Sequence, residues 1–225
     1  IWSNRAQVLN HLATIATMQG QFKQAVVLLF EVLDASRQFE QEYFQVTTFH
    51  NLGLAYSELG QYSKSEEFFK KAMDLSKQLQ NRHNETEIWL GLAQLYRRLG
   101  QYQESKENLQ QAFTLCQQSG EKKAYCEALM QQALLLYAQE SFLAAAQASR
   151  ESVKLIKELG TTEMETDILI TVGYCSLALS DYGQAKFAFK CAVDSAKNSG
   201  NSLKEIEASA GLANVCLRLD ERHTA

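Results

Sequence analysis

Apolar and polar residues along this chain alternate with the period of an α-helix, and the helical runs break off at regular intervals. The stretch from Asn51 to Tyr62 begins as an amphipathic helix, breaks at Leu59-Gly60-Gln61 and restarts as a second amphipathic run from Ser63. Forty residues on, the stretch ending at Tyr102 repeats the helix and the break. The breaks align as Gly20-Gln21-Phe22, Gly60-Gln61-Tyr62, Gly100-Gln101-Tyr102, Glu140-Ser141-Phe142 and Ser180-Asp181-Tyr182, at a spacing of 40. Upstream, the same arithmetic stacks Leu9, Phe49, Trp89, Leu129 and Leu169, and then Ala13, Gly53, Ala93, Ala133 and Gly173. Downstream it stacks Ala25, Ser65, Ser105, Ala145 and Ala185.

Each recurring type has a physical reason. A glycine at the break takes the left-handed conformation that ends a helix, so the chain reverses within two or three residues and forms an antiparallel hairpin. Small residues at Gly53, Ala93, Ala72 and Ala112 let two helix axes approach closely while Tyr56, Phe69 and Trp89 fill the flanking space. Further glycines at Gly120, Gly160 and Gly200 mark turns between repeats, with helix starts expected at Thr162 to Glu165, Ser202 to Glu205 and Asn84 to Glu87. The repeats run over about 4–40, 41–80, 81–120, 121–160 and 161–200, and a sixth first helix over about 202–219. One hairpin cannot bury its apolar stripes alone, so neighbours must stack on it.

The second repeat carries Phe49, Leu52, Gly53, Tyr56, Gly60, Tyr62, Ser65, Phe69 and Ala72, and the third Trp89, Leu92, Ala93, Tyr96, Gly100, Tyr102, Ser105 and Ala112. This pattern resembles the tetratricopeptide repeat (TPR) family, and its 40-residue period is similar to the long repeats of Pins-type spindle-orientation adaptors and of bacterial peptide-sensing regulators. The family's usual proline near the end of the second helix is missing throughout. The fourth repeat departs further, with Glu140 for glycine and Gln132 for leucine, yet Leu129, Ala133 and Phe142 keep its packing positions. The resemblance implies an all-α, right-handed solenoid of stacked antiparallel helix pairs, a TPR superhelix, whose concave face is lined by the first helices.

Composition narrows the function. The 225 residues are 46% hydrophobic and 21% charged with no proline, an ordinary globular balance rich in helix formers. Net charge is -4 with acidic and basic residues interspersed, so neither nucleic acid nor a membrane surface is an expected partner. The longest apolar runs, such as residues 25–30, are too short to span a bilayer. Five cysteines without a CxxC pair suit reduced thiols and an intracellular, cytoplasmic setting. The first residue is not Met and the last residues follow another helical pattern, which suggests a piece of a longer chain.

No phosphate loop, HExxH or metal-ligand spacing stands out, so neither catalysis nor a metal or other cofactor is expected. His11, His50, His83 and His223 are scattered; His50 falls on the expected concave face, where it could hydrogen-bond to a partner. By the family's register that face takes Asn10, His11 and Thr14 from the first repeat and Thr47, His50, Asn51, Leu54 and Glu58 from the second. The third gives Glu87, Leu90, Gln94, Arg97 and Arg98, the fourth Met130, Gln131, Leu134 and Tyr137, and the fifth Ile170, Thr171, Tyr174 and Leu177. The first half of the groove is polar and the second apolar, which suits a segment of a partner protein or a peptide.

Chaperone cofactors of the family grip an acidic tail with a Lys-x-x-x-Asn arrangement. The matching pairs here, such as His50/Leu54 and Leu90/Gln94, lack it, so an Hsp70/Hsp90 C-terminal tail is not the expected ligand. Asn51 precedes Leu-Gly as in the spindle-orientation adaptors, where such asparagines hold a ligand's main chain, while Leu54 replaces their second asparagine. Arg97 and Arg98 are candidate anchors for a partner carboxylate, with Glu58 a competing partner for one of them. The expected function is a scaffold or adaptor that binds a partner segment along the concave face. Alternatives are a regulatory peptide-sensing module of a larger enzyme or transcription regulator, and self-association through the sixth first helix.

Overall fold

The computed structural model describes residues 2–38, 42–160 and 164–223. Among them the chain forms eleven α-helices and no strand. They are α1 (Trp2–Met18), α2 (Phe22–Gln38), α3 (Glu42–Glu58), α4 (Tyr62–Gln78), α5 (Arg82–Arg98) and α6 (Tyr102–Ser119). The remainder are α7 (Lys122–Ala138), α8 (Phe142–Leu159), α9 (Glu165–Ala178), α10 (Tyr182–Ser199) and α11 (Ser202–His223). The chain divides into two compact units, Ile1–Ser119 and Gly120–Ala225. In the first, α1 pairs with α2, α3 with α4 and α5 with α6, while α2 also packs on α3 and α4 on α5. In the second, α7 pairs with α8 and α9 with α10, and α11 lies against both α9 and α10.

Within a pair the chain reverses through one left-handed residue. Gly60 has φ 71°, the Gly60 amide donates to the Ser57 carbonyl, and the Gln61 amide donates to the Tyr56 carbonyl at 2.9 Å, which satisfies carbonyls that the helix end would otherwise orphan. Glu140 (φ 59°) and Ser180 (φ 60°) take the same conformation without being glycine. The Ser141 amide still donates to the Leu136 carbonyl at 2.9 Å, so the fourth repeat closes despite its missing glycine. Packing there outweighs a local Cβ penalty of about 1–2 kcal/mol. Between repeats Gln80 likewise stands at φ 53° where Gly120, Gly160 and Gly200 serve elsewhere.

Two of the helix starts begin earlier than the sequence pattern implies. Asn81, not Asn84, caps α5, its side chain accepting from the Asn84 amide, and Asn201, one residue before Ser202, accepts from the Lys204 amide at the start of α11. The capping asparagine satisfies the third amide inside the helix, so the acceptor must precede it by three. Thr162 lies outside the described residues.

The core is organised by aromatic wedges. Phe69 on α4 is fully buried, and its ring lies against two glycines on successive first helices: a Cβ on Gly53 would sit 2.8 Å from the ring and one on Gly91 2.5 Å. Phe189 on α10 does the same in the second unit, where a Cβ on Gly173 would come within 2.7 Å and one on Gly211 within 2.3 Å. Burying one such ring contributes about 2–3 kcal/mol, and only glycine leaves room for it on both sides. Where the wedge is smaller the seats are larger: by register Leu29 faces Ala13 and Asn51, and Ser149 faces Ala133 and Thr171. Ser65 and Ser105 add a clasp, their hydroxyls donating to the Gly53 and Ala93 carbonyls at 2.7 Å.

Two outcomes follow for stability. Gly91→Ala should cost about 1–3 kcal/mol by overpacking the Phe69 seat, and Phe69→Leu placed beside it should recover part of that loss. Glu140→Gly should raise stability by about 1 kcal/mol by releasing the left-handed strain. Urea melts followed by circular dichroism read both.

Candidate partner-binding faces

In the first unit, three first helices carry a connected line of polar groups. The Asn51 amide on α3 donates to the Asn10 side-chain oxygen on α1 at 3.4 Å. His50 hydrogen-bonds to the Asn51 side chain and donates to the backbone carbonyl of Glu87 on α5, with its ring 5.7 Å from that of Phe69. Burial on the wedge pulls the imidazole pKa down from 6.5 to about 4, against the pull of both hydrogen bonds, which favour the charged form. His50 is therefore neutral at pH 7. A cleft of about 280 Å³ opens here, lined by Thr47, His50, Asn51, His83, Asn84 and Glu87 among others.

The other expected residues of this unit divide. Leu54 is half-buried against the Phe69 cluster, and Gln94 and Arg97 are half-buried. Arg98 pairs with Glu58 across α5 and α3, so its guanidinium already holds a carboxylate. His11, Thr14 and Thr47 are exposed, and the hydroxyls of Thr14 and Thr47 bond back to their own helices. Leu90 is buried, at 2% exposure, and presents nothing to a partner.

The second unit corrects the expectation of an open apolar surface. Met130 is buried with Cys126, Ile156 and Ile168, and Ile170 with Phe189, Ala208 and Val215. Gln131 and Thr171 are buried as well. Leu134, Tyr137, Tyr174 and Leu177 are half-buried. The rings of Tyr137 and Tyr174 stand 6.2 Å apart, and Tyr174 meets the Phe189 wedge edge-on at 5.1 Å. Burial raises the pKa of both phenols, so each stays a neutral hydroxyl.

Beside this aromatic pair lies an ion cluster that the sequence reading missed. Lys204 on α11 reaches Asp167 on α9 at 2.7 Å and Glu207 at 3.0 Å. Burial opposes the Lys204 charge, yet the two carboxylates outweigh it and hold the ammonium pKa above its usual value. A signal was available, because Glu87, Glu127, Asp167 and Glu207 form one column at 40-residue spacing. Cys175 is buried, and its thiol lies 3.8 Å from the Ser149 hydroxyl; Cys191 is half-buried and free. Among the described residues no group of three or more His, Cys, Asp or Glu side chains could hold a metal, and no helix is long and apolar enough to cross a membrane.

Paired helices, left-handed turns and seated wedges define a tetratricopeptide-type repeat protein. More narrowly, residues 6–225 match the MalT-like TPR region, and the chain belongs to that family. Among curated proteins, none matches it in sequence. The fold is similar to that of a Rap protein complexed with competence and sporulation factor, with a TM-score of 0.78 at 12% identity over 97% of this chain and 65% of that one. It is also similar to NprR in complex with its cognate peptide NprX (0.74, 16% identity, 98% of this chain and 62% of that one). A thermophilic TPR protein of Thermus thermophilus, TTC0263, gives 0.66 at 15% identity, over 94% of this chain and 99% of that one. The chain thus spans just under two thirds of the Rap and NprR chains.

The buried histidine carries a pH signature. Between pH 6.5 and about 4 the unfolded chain takes up a proton that folded His50 refuses, so stability is full above pH 6.5 and falls as pH drops through that window. The loss should reach at most about 3 kcal/mol and be reduced in His50→Gln. Urea melts from pH 7 to pH 4 measure the difference between the two proteins.

Proposed function

We infer that the chain is a binding module without a catalytic role, and that it holds an extended segment of a partner protein or a peptide along its first helices. The observation that carries this reading is the Asn10–Asn51–His50 line, which presents polar side chains beside an open cleft of about 280 Å³. An extended peptide needs donors and acceptors for its main chain, and asparagine supplies both from one amide. Asn51 stands where the spindle-orientation adaptors place such an asparagine, and with Leu54 in place of their second one an apolar ligand side chain is the better fit there. The half-buried Tyr137 and Tyr174 offer ring faces and hydroxyls for further side chains.

The Rap and NprR structures, solved with competence and sporulation factor and with a cognate peptide, support a peptide ligand for this fold. They favour a peptide-sensing region of a larger protein over a free-standing adaptor. Nucleic acid and membrane have no place in this reading, given an interspersed net charge of -4.

Panning the chain against a displayed library of random 12-residue peptides tests the reading. Selected peptides should lose about tenfold in affinity with Asn51→Ala, because one or two main-chain hydrogen bonds are worth that much. Tyr174→Ala should weaken those selected peptides that the second unit holds. Affinities unchanged by both substitutions would refute the first-helix site.

A further inference from the structure

A second site lies away from both the Asn10–Asn51–His50 line and the tyrosine pair. In the second unit an apolar groove of about 290 Å³ runs between α8 and α10 over α9, with Ile168, Leu169, Val172, Phe187 and Cys191 among its lining. Eighty residues earlier the register puts Trp89 of the first unit at the place of Leu169. There the indole of Trp89 packs on the core cluster beside Leu92, with the Lys77 ammonium 5.9 Å from the ring. The second unit keeps the lysine, as Lys157, and replaces the tryptophan with Leu169.

The rim changes in the opposite sense. Phe187 stands where α4, α6 and α8 carry Glu67, Glu107 and Gln147, with only Val27 of α2 also apolar, and Cys191 stands where the second helices carry Glu31, Lys71, Gln111 and Glu151. Charged and amide side chains predominate at these two positions, yet on α10 both are apolar and Phe187 is 64% exposed. The floor residue Asn108 is also exchanged, for Ala188. The result is a hollowed seat with an apolar rim. Glu165 also lines the groove, and its carboxylate, which accepts from the Ser195 hydroxyl at 3.5 Å, keeps further lone pairs for a ring N–H.

We propose that this groove receives a tryptophan side chain presented by a partner protein, which fills in trans the place that Trp89 fills within the first unit. The indole would stack against Phe187 and lie on Leu169, with Lys157 placed for a cation–π contact as Lys77 is over Trp89. The ring N–H would face Glu165. None of the residues of the Asn10–Asn51–His50 line or of the tyrosine pair takes part, so this site and the peptide site stand or fall separately.

The test is a titration of the whole chain with N-acetyl-L-tryptophanamide, followed by the methyl NMR signals of Ile168 and Val172. N-acetyl-L-leucinamide runs in parallel. Saturable shifts with a dissociation constant of about 1 mM are expected for a ligand of this size. The leucine analogue should bind at least fivefold more weakly. Leu169→Trp should abolish the shifts by filling the seat from within. Phe187→Glu, at an exposed position and with unchanged circular dichroism, should weaken binding about tenfold. Absence of saturable shifts in the unsubstituted protein would overturn the proposal. So would equal binding of the leucine analogue, or binding undiminished by Phe187→Glu.

Discussion

Everything in this structure depends on how closely a first helix can approach the second helix that precedes it and the one that follows it. At Phe69 and Phe189 that approach is set by a ring pressed against the bare backbone of two glycines. A ring between glycines fixes both translation and rotation of three helices at once, since any slide brings a neighbouring side chain into the ring. Around each wedge the remaining positions are then determined. The serine clasps at Ser65 and Ser105 reach a carbonyl of the paired helix only because the axes are this close. The left-handed turn residues follow, because helices held so tightly leave room for only two or three linking residues.

That constraint also arranges the candidate site. His50 rests on the Phe69 ring and is thereby placed to hydrogen-bond Asn51 on its own helix and the Glu87 carbonyl on the next. Tyr174 rests edge-on against Phe189 and meets Tyr137 on its other side. In both units the wedge that holds the stack together supports a first-helix side chain that a ligand could touch. Packing positions and candidate recognition positions are neighbours on the same helices, separated by a rotation of roughly 100° per residue.

This proximity explains what was legible in the sequence. The repeat period, the helix pairs and the small residues at Gly53 and Gly173 could be read directly, because the column 13, 53, 93, 133, 173 holds only Ala and Gly. The second seat of each wedge could not be read from a single column. Gly91 and Gly211 share theirs with Asn51, Gln131 and Thr171, and they are explained only by the phenylalanine 22 residues earlier. The site was legible in part. Asn10, His50, Asn51 and Glu87 come together, and Arg98 takes Glu58. Leu90, Met130 and Ile170 fell on the wrong side, since an error of one position turns a groove residue into a wall residue. Lys204 was passed over because a single basic residue carries no periodic signal, although its two carboxylate partners do.

That the first helices hold the peptide is the central claim, and photo-crosslinking tests it most directly. A benzophenone amino acid placed singly at Leu54 and Leu134 on first helices, or at Glu67 and Gln147 on second helices, reports which face a bound, library-selected peptide touches. Cross-links at Leu54 and Leu134 with none at Glu67 and Gln147 are the expected result. Cross-links confined to Glu67 and Gln147 would contradict the assignment of the peptide to the first helices.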